Sequence, residues 1–354
     1  MKVRKMIALI ALIAGGVTVA AIAFMNQRSF GRIPSGRRLE RILRSPNYNG
    51  KQFVNQEATQ MMTGRDNMAV SMLKFLFGTS DGLRPDTPLT MVRTDLRALP
   101  CRDLIVWFGH SSYLLQVDGR RILVDPALLT ASPVPFVNRA FEGTTAYTPD
   151  DMPNIDCLVI THDHWDHLDY QTVCQLRSRT RRVVVPLGVG EHFEYWGFAP
   201  EQIVELDWNE SASACGLTFH CTPARHFSGR GLTRNKTLWA SFVIETADGK
   251  QIFIGGDGGY GAHFADIRRR FGQIRLAILE NGQYNDNWNQ IHTMPQQLGM
   301  AARDIGAQKV VTVHHSKYAL ARHRWDEPLA NEQEAARQYN LPLTVLQLGV
   351  PWEF

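Results

Sequence analysis

Cysteine is scarce: the chain has five in 354 residues (Cys101, Cys157, Cys174, Cys215 and Cys221), an odd number with no C-x-x-C pair. That pattern gives neither a disulfide framework nor a thiolate zinc knuckle. The five read as small buried apolar side chains, with a single Cys215–Cys221 bridge open to an exported domain. A charge excess is also missing, since 38 Lys+Arg against 34 Asp+Glu leave only +4. A nucleic-acid partner is therefore not expected. No internal repeat and no low-complexity segment is visible. With 44% apolar and 20% charged residues, disordered, collagen-like and polytopic membrane chains are excluded. What is left is a globular chain with a full-sized core, long enough for two domains or for one layered α/β domain of about 250 residues with an extension.

One long apolar run is present. Residues 6–25 are 20 uncharged positions behind Lys2, Arg4 and Lys5, and at ~1.5 Å per residue they reach about 30 Å, the thickness of a bilayer core. Ala21-Ile22-Ala23 resembles a signal-peptide cleavage site, but the run exceeds the usual h-region of about 7–15 residues. A retained single-pass anchor in the cell membrane is favoured over a cleaved signal peptide. No Cys follows that would serve lipoprotein processing. Arg28, Arg32, Arg37, Arg38, Arg41 and Arg44 come next, offset only by Glu40. They read as a solvated juxtamembrane face or as contacts to anionic headgroups. Basic residues flank both ends of the run, so the side of the membrane stays open.

Three regions follow: an anchor over 1–25, a basic extension over 26–90 packed on the main domain, and a catalytic domain over 91–354. Within the extension, 68–77 suits a short helix. Beyond it, apolar runs predict strands over 104–108, 113–117, 121–124, 155–160, 182–185, 217–221, 239–245, 251–254, 276–279 and 309–313, with a helix over 168–177. Asp118-Gly119 and Asp248-Gly249 mark hairpin turns. Many hairpin-linked strands with few helices predict two sheets covered by helices, a four-layer αββα sandwich. The aromatics Phe193, Tyr195, Trp196 and Phe198 read as core packing ahead of a lipid-binding groove.

The chemistry concentrates in Thr161-His162-Asp163-His164-Trp165-Asp166-His167-Leu168-Asp169, directly after a predicted strand. In extended chain, residues i and i+2 project alike, so His162 and His164 can ligate one ion. Asp166 and His167 lie where the chain turns toward the next helix, and suit a second ion. The remaining ligands must come from elsewhere. His226, Asp257 and His314 each follow a predicted strand, and the glycines of Gly255-Gly256-Asp257-Gly258-Gly259 would let the backbone approach closely and leave the carboxylate free to bridge two cations. A one-residue slip would bring His315 to the metal in place of His314.

These segments resemble the metallo-β-lactamase superfamily, whose hallmark is H-x-H-x-D-H after a strand. Within it they are most similar to N-acyl-phosphatidylethanolamine-hydrolysing phospholipase D and its bacterial relatives. The likeness runs over about 104–320 and is carried by Trp107-Phe108-Gly109-His110, Asp125-Pro126, 162–169, Pro223-Ala224-Arg225-His226-Phe227-Ser228, Asn235-Lys236-Thr237-Leu238-Trp239, Gly256-Asp257-Gly258-Gly259-Tyr260, Val313-His314-His315 and Tyr318-Ala319-Leu320. It implies that His162, His164 and His226 hold one zinc ion, that Asp166, His167 and His314 hold another, and that Asp257 bridges them; iron or manganese would also suit such donors. It implies further that a hydroxide shared by the ions cleaves a phosphodiester, with a phospholipid as substrate partner and the metals stabilising the growing negative charge. Aspartate stands in the bridging place where β-lactamases use sulfur, which argues against β-lactam hydrolysis. Asp166, Asp257 and His292 carry the catalytic expectation, with His292 contacting substrate and Thr293 capping the following helix. Asp125 and His110 are expected behind the ligands as hydrogen-bonding supports. The alternatives are a lactonase or another hydrolase of a soluble substrate on the same metals, and a non-catalytic membrane scaffold. No oligomeric state is assigned.

Overall fold

The computed structural model describes residues 2–64 and 80–354. The helix expected over 68–77 lies outside the described residues. Two seven-stranded sheets stack face to face. The first contains β1 (Leu104–Trp107), β2 (Tyr113–Val117), β3 (Arg120–Val124), β4 (Ile155–Val159), β5 (Thr180–Pro186) and β6 (Ile203–Leu206). The second contains β7 (Ser211–Ala214), β8 (Leu217–Thr222), β9 (Ser241–Glu245), β10 (Gln251–Ile254), β11 (Ile274–Glu280), β12 (Ala307–Val313) and β13 (Leu343–Thr344), and β14 (Pro351–Glu353) returns to pair with β1. Each sheet starts antiparallel and turns parallel, the first from β3 onward and the second from β10 onward.

Alternation along the strands sorts the core into layers. Ile105, Trp107, Leu115, Ile122, Val124 and Val159 face the second sheet, where they meet Phe219, Phe242, Ile252 and Ile278. Their neighbours Leu104, Val106, Leu114, Leu123 and Leu158 point outward to α3 (Tyr170–Leu176) and α4 (Gly190–Tyr195). On the other side Val243, Phe253, Ala277 and Val310 pack against α5 (His263–Phe271), α6 (Pro295–Ile305) and α7 (Glu327–Tyr339). Strands buried on both faces read as continuous apolar runs, which is why their positions are visible in the sequence. Phe193, Trp196 and Phe198 join the outer layer beneath the first sheet, so that aromatic stretch is core.

Both central residues of the β2–β3 turn, Asp118 and Gly119, take positive φ (49° and 69°), the type I′ geometry that matches strand twist. The β9–β10 hairpin is longer, closed by Thr246 N–H to Lys250 O, and only Gly249 is left-handed there. Cysteine behaves partly as expected. All five are free and Cys157 and Cys221 are buried, but Cys101 is exposed. Cys215 sits at the β7–β8 turn with its Sγ toward Asp156 O, while Cys221 lies at the far end of β8. Cys221 is four strand steps beyond Leu217, about 13 Å, too far for a disulfide from that turn.

Before the sheets come α1 (Lys2–Met25) and α2 (Gly36–Leu43). From Arg4 to Met25, α1 is long and apolar enough to cross a membrane, and none of it is buried inside the protein. The segment after it packs on the sandwich: Ile42 and Phe53 belong to the inter-sheet core. Arg38 bridges Glu191, Glu194 and Glu205, and Arg41 pairs with Glu210. Arg28 also donates to Tyr195 O (2.8 Å), so three of the six arginines after α1 dock the extension on the sandwich.

Candidate metal centre

The donors leave one edge of the sandwich. β8 and β10 run alike, as do β3 and β4, and the loops after their carboxyl ends converge where α/β sheets usually hold ligands. After β4, His162 and His164 face one way and Asp163 the other, where its carboxylate accepts from Gly229 N–H (2.6 Å), Thr237 Oγ1 (2.8 Å) and His192 Nε2 (3.1 Å). A turn closed by His167 N–H and Leu168 N–H on His164 O then swings Asp166 and His167 to a different position. His226 arrives after β8, Asp257 after β10 and His314 after β12.

His162 Nε2 and His226 Nε2 lie 2.8 and 3.2 Å from His164 Nδ1. The His226 Nδ1–H donates to Ile291 O (2.7 Å) and His162 Nδ1 lies against Thr161 Oγ1 (3.0 Å), which leaves both Nε2 lone pairs pointing inward. Burial holds His162 and His226 well below the ordinary histidine value and takes His164 down to about 4. Three neutral imidazoles aimed at one point repel one another unless a cation sits among them. A second group, His110, Asp166, His167 and His314, offers donor atoms within 4.8 Å of one another. Asp257 lies between the groups: its Oδ1 is 3.2 Å from His167 Nε2 and from His314 Nδ1, and its Oδ2 is 3.9 and 3.8 Å from His162 Nε2 and His226 Nε2. Burial alone would raise the Asp257 carboxyl, but His167 and His314 beside it hold it well below the usual carboxylate range.

His167 Nε2, His314 Nε2 and Asp257 Oδ1 are buried without a hydrogen-bond partner among the described residues. Buried polar atoms are almost always satisfied, so these orphans at one spot fit metal ligation. The two donor groups sharing one carboxylate thus match a pair of cations in chemistry and arrangement. At His314 a φ of 73° redirects the chain past the strand end. His315 instead hydrogen-bonds Thr312 Oγ1 and Ser316 Oγ and packs on Trp107, so His314 enters the cluster and His315 does not. Behind the cluster, Asp125 Oδ2 accepts from His167 Nδ1 (2.7 Å) and takes Thr161 Oγ1 as well, while His110 Nε2 holds Asp166 Oδ2 at 2.8 Å. At Gly259 a Cβ would lie 2.0 Å from Gln290 O, the close approach that the glycines around Asp257 permit.

A profile of the Beta-lactamase superfamily domain matches residues 120–315, the segment that carries His162, His164, Asp166, His167, His226, Asp257 and His314. The chain belongs to the metallo-β-lactamase superfamily. An uncharacterised protein of Mycobacterium tuberculosis is 38% identical over 308 residues, covering 85% of this chain and 82% of that one. The N-acyl-phosphatidylethanolamine-hydrolyzing phospholipase D 1 of Caenorhabditis elegans is 27% identical over 232 residues, 60% of this chain and 64% of that one. Among solved structures, Igni18, a metallo hydrolase of the archaeon Ignicoccus hospitalis, shares the fold with a TM-score of 0.55 at 23% identity, over 71% of this chain and 99% of that one. The chain is thus a metal-dependent hydrolase of this superfamily, with candidate metal-ligand clusters at the expected edge.

On the superfamily scaffold three further residues stand near the centre that sequence patterns did not single out. Glu280, the last residue of β11, holds His292 Nδ1 at 2.9 Å and accepts from Thr293 N–H. Burial pushes its carboxyl up to about 7 against the pull of His292. The His292 ring stacks on His314 at 5.5 Å and meets His226 edge-on at 5.0 Å. Thr293 does not cap α6: the cap is Met294, whose N–H is taken by Gln297 Oε1, and Thr293 Oγ1 instead donates to Gly258 O. Asn55, from the extension, holds both backbone groups of His226, donating to its carbonyl (2.8 Å) and accepting from its N–H (3.1 Å). Arg230 donates to Ser29 O, Asp163 O and Leu168 O, tying the metal loop to the segment after α1. On the same side, Trp165 of the metal loop packs edge-on to Phe30 (4.9 Å), and Phe30 to Phe24 in the last turn of α1 (5.3 Å).

Proposed function

We propose that the chain is a membrane-anchored dinuclear hydrolase that cleaves the phosphodiester of N-acyl-phosphatidylethanolamine-like phospholipids. The observation that carries this reading is the aromatic contact from Phe24 through Phe30 to Trp165. It ties the metal loop to the end of the helix that would leave the bilayer, so the centre works at the depth of lipid headgroups. The name of the Caenorhabditis elegans relative supports the same substrate class, as does a carboxylate in the bridging position.

His162, His164 and His226 would hold one divalent cation and Asp166, His167 and His314 the other, with Asp257 between them; zinc is favoured, and iron or manganese suits the same donors. When bound, such a pair supplies Lewis acidity at the phosphoryl oxygens and lowers the pKa of bound water toward about 7. The chain's own groups then orient and stabilise. Asp125 and His110 fix the directions of His167 and Asp166. His292, whose basicity burial lowers and the Glu280 carboxylate at Nδ1 raises to a net increase, would as an imidazolium present Nε2–H as a donor to a phosphoryl oxygen of the substrate.

The test uses the full-length protein, loaded with zinc and reconstituted in vesicles that contain N-acyl-phosphatidylethanolamine. Mass spectrometry should detect phosphatidic acid and N-acylethanolamine, and Asp257→Asn should lose both metal and turnover. Hydrolysis of a lactone panel with the phospholipid untouched would replace this reading by a lactonase. An Asp257→Asn protein with undiminished function in cells would favour the scaffold.

A further inference from the structure

Behind the metal loop, on the face where Asp163 points away from the donors, lies a cavity of about 640 Å³ that the chemistry above leaves unused. Its rim begins at Met25 and Asn26, the last residue of α1 and the next. Its walls carry three cations, Arg32, Arg230 and Lys236, against one carboxylate, Asp163. That carboxylate is already satisfied by Gly229 N–H, Thr237 Oγ1 and His192 Nε2. His192 Nδ1 accepts from Arg32 N–H (3.0 Å), which fixes the imidazole as a neutral donor to Asp163. The Arg230 donors are spent on backbone carbonyls. Arg32, exposed and resting over the Tyr195 ring at 5.3 Å, is the cation most open to an incoming ligand; the half-buried Lys236 spends one ammonium donor on Lys51 O and keeps two for a ligand.

The mouth of the cavity is apolar. Leu232 is 85% exposed, more than any other large hydrophobic side chain among the described residues, and Ile33 is 58% exposed. A cationic interior with a greasy lip at the foot of an apolar helix fits a lipid whose phosphate enters while its glycerol and chains stay in the bilayer. We propose that this cavity binds the headgroup phosphate of an anionic glycerophospholipid, at a site separate from the metal centre. The proposal rests on α1 being a membrane anchor and not on the reaction at the metals, so its test reads binding and not turnover.

Full-length protein is reconstituted in nanodiscs of phosphatidylcholine with an equal share of phosphatidylglycerol, and the lipid that stays bound is weighed by native mass spectrometry. Wild type should retain phosphatidylglycerol in preference to phosphatidylcholine. The double variant Arg32→Gln, Lys236→Gln should lose that retention by about thirtyfold, from about 1 kcal/mol per cation near a membrane surface. Leu232→Asp, at a side chain 85% exposed, should weaken it as well. Arg37→Gln, which does not line the cavity, should leave it unchanged. Equal retention of the two lipids, retention unaltered by the double variant and by Leu232→Asp, or displacement of the lipid by inorganic phosphate alone would each overturn the proposal. Hydrolysis of a soluble aryl phosphodiester by the same samples tests the metal centre separately.

Discussion

Glu332 is buried on α7, with one carboxylate oxygen on Thr312 Oγ1 and the other without a hydrogen-bond partner among the described residues. Burial pushes its carboxyl from 4.5 up to about 7. The folded protein therefore holds this proton more tightly than the unfolded chain does, so the stability from Glu332 is fully present below the ordinary glutamate value and lost as pH rises through about 7. Between about pH 5 and about pH 8 the wild type should lose up to about 3 kcal/mol through this group. Glu332→Gln keeps the shape without the charge and should flatten that part of the profile. Unfolding free energies measured across the range in both proteins check it, and identical slopes would remove Glu332 as the source. Single residues like this one are not legible in a sequence. His162, His164, Asp166 and His167 are, because their spacing is itself the signal, and His226, Asp257 and His314 become so once strand ends are found. Glu280 and Asn55 carry no such pattern. Glu280 is a lone acid ending an apolar run, and Asn55 acts from 171 positions away on backbone atoms that no side-chain motif reveals.

At the level of elements, the extension is part of the candidate metal centre as well as a link to it. Asn55→Ala would leave the N–H and carbonyl of His226 without their partner, an expected loss of about 1–3 kcal/mol in stability. Because His226 would then be held less firmly, affinity for zinc should fall about tenfold, as for other residues that orient metal ligands. A chelator competition titration, run beside thermal unfolding, measures both. An unshifted chelator midpoint would mean that the strand end alone positions His226. The strands were legible because burial on both faces makes them unbroken apolar runs, and the two hairpin turns announced themselves through Asp-Gly. Other elements had no comparable signal. β7 is Ser-Ala-Ser-Ala at a sheet edge, β13 spans two residues and β14 begins with Pro351. The inward face of α6 is built from Leu298, Ala301, Ala302 and Ile305, four apolar residues, two of them small, whose contacts are set by the sheet beneath them. Its start was misread because Thr293 resembles a cap, yet the glycine-rich turn below offered its hydroxyl the Gly258 carbonyl.

For the whole molecule, the decisive question is what α1 contributes. None of its apolar window is buried in the protein, so removing it should not cost the inter-sheet core, whose extension residues Ile42 and Phe53 lie beyond it. Its last turn nevertheless reaches the metal loop through Phe24, Phe30 and Trp165. A chain that begins at Asn26 should therefore fold, bind the same number of metal ions and hydrolyse a soluble aryl phosphodiester within about twofold of the full chain, since the donors are untouched. Its rate on N-acyl-phosphatidylethanolamine in vesicles should drop by about tenfold or more, because anchoring supplies an effective concentration of about millimolar at the lipid surface that a free enzyme must obtain by diffusion. Intact mass of the protein extracted from membranes belongs in the same experiment. Residues 2–25 retained in that mass identify an anchor, and their loss identifies a signal peptide. Equal lipid turnover by the two chains would mean that the centre does not need the bilayer contact implied by Phe24 and Phe30. In that case the aromatic contact would serve only to pack the juxtamembrane segment against Arg230 and Trp165.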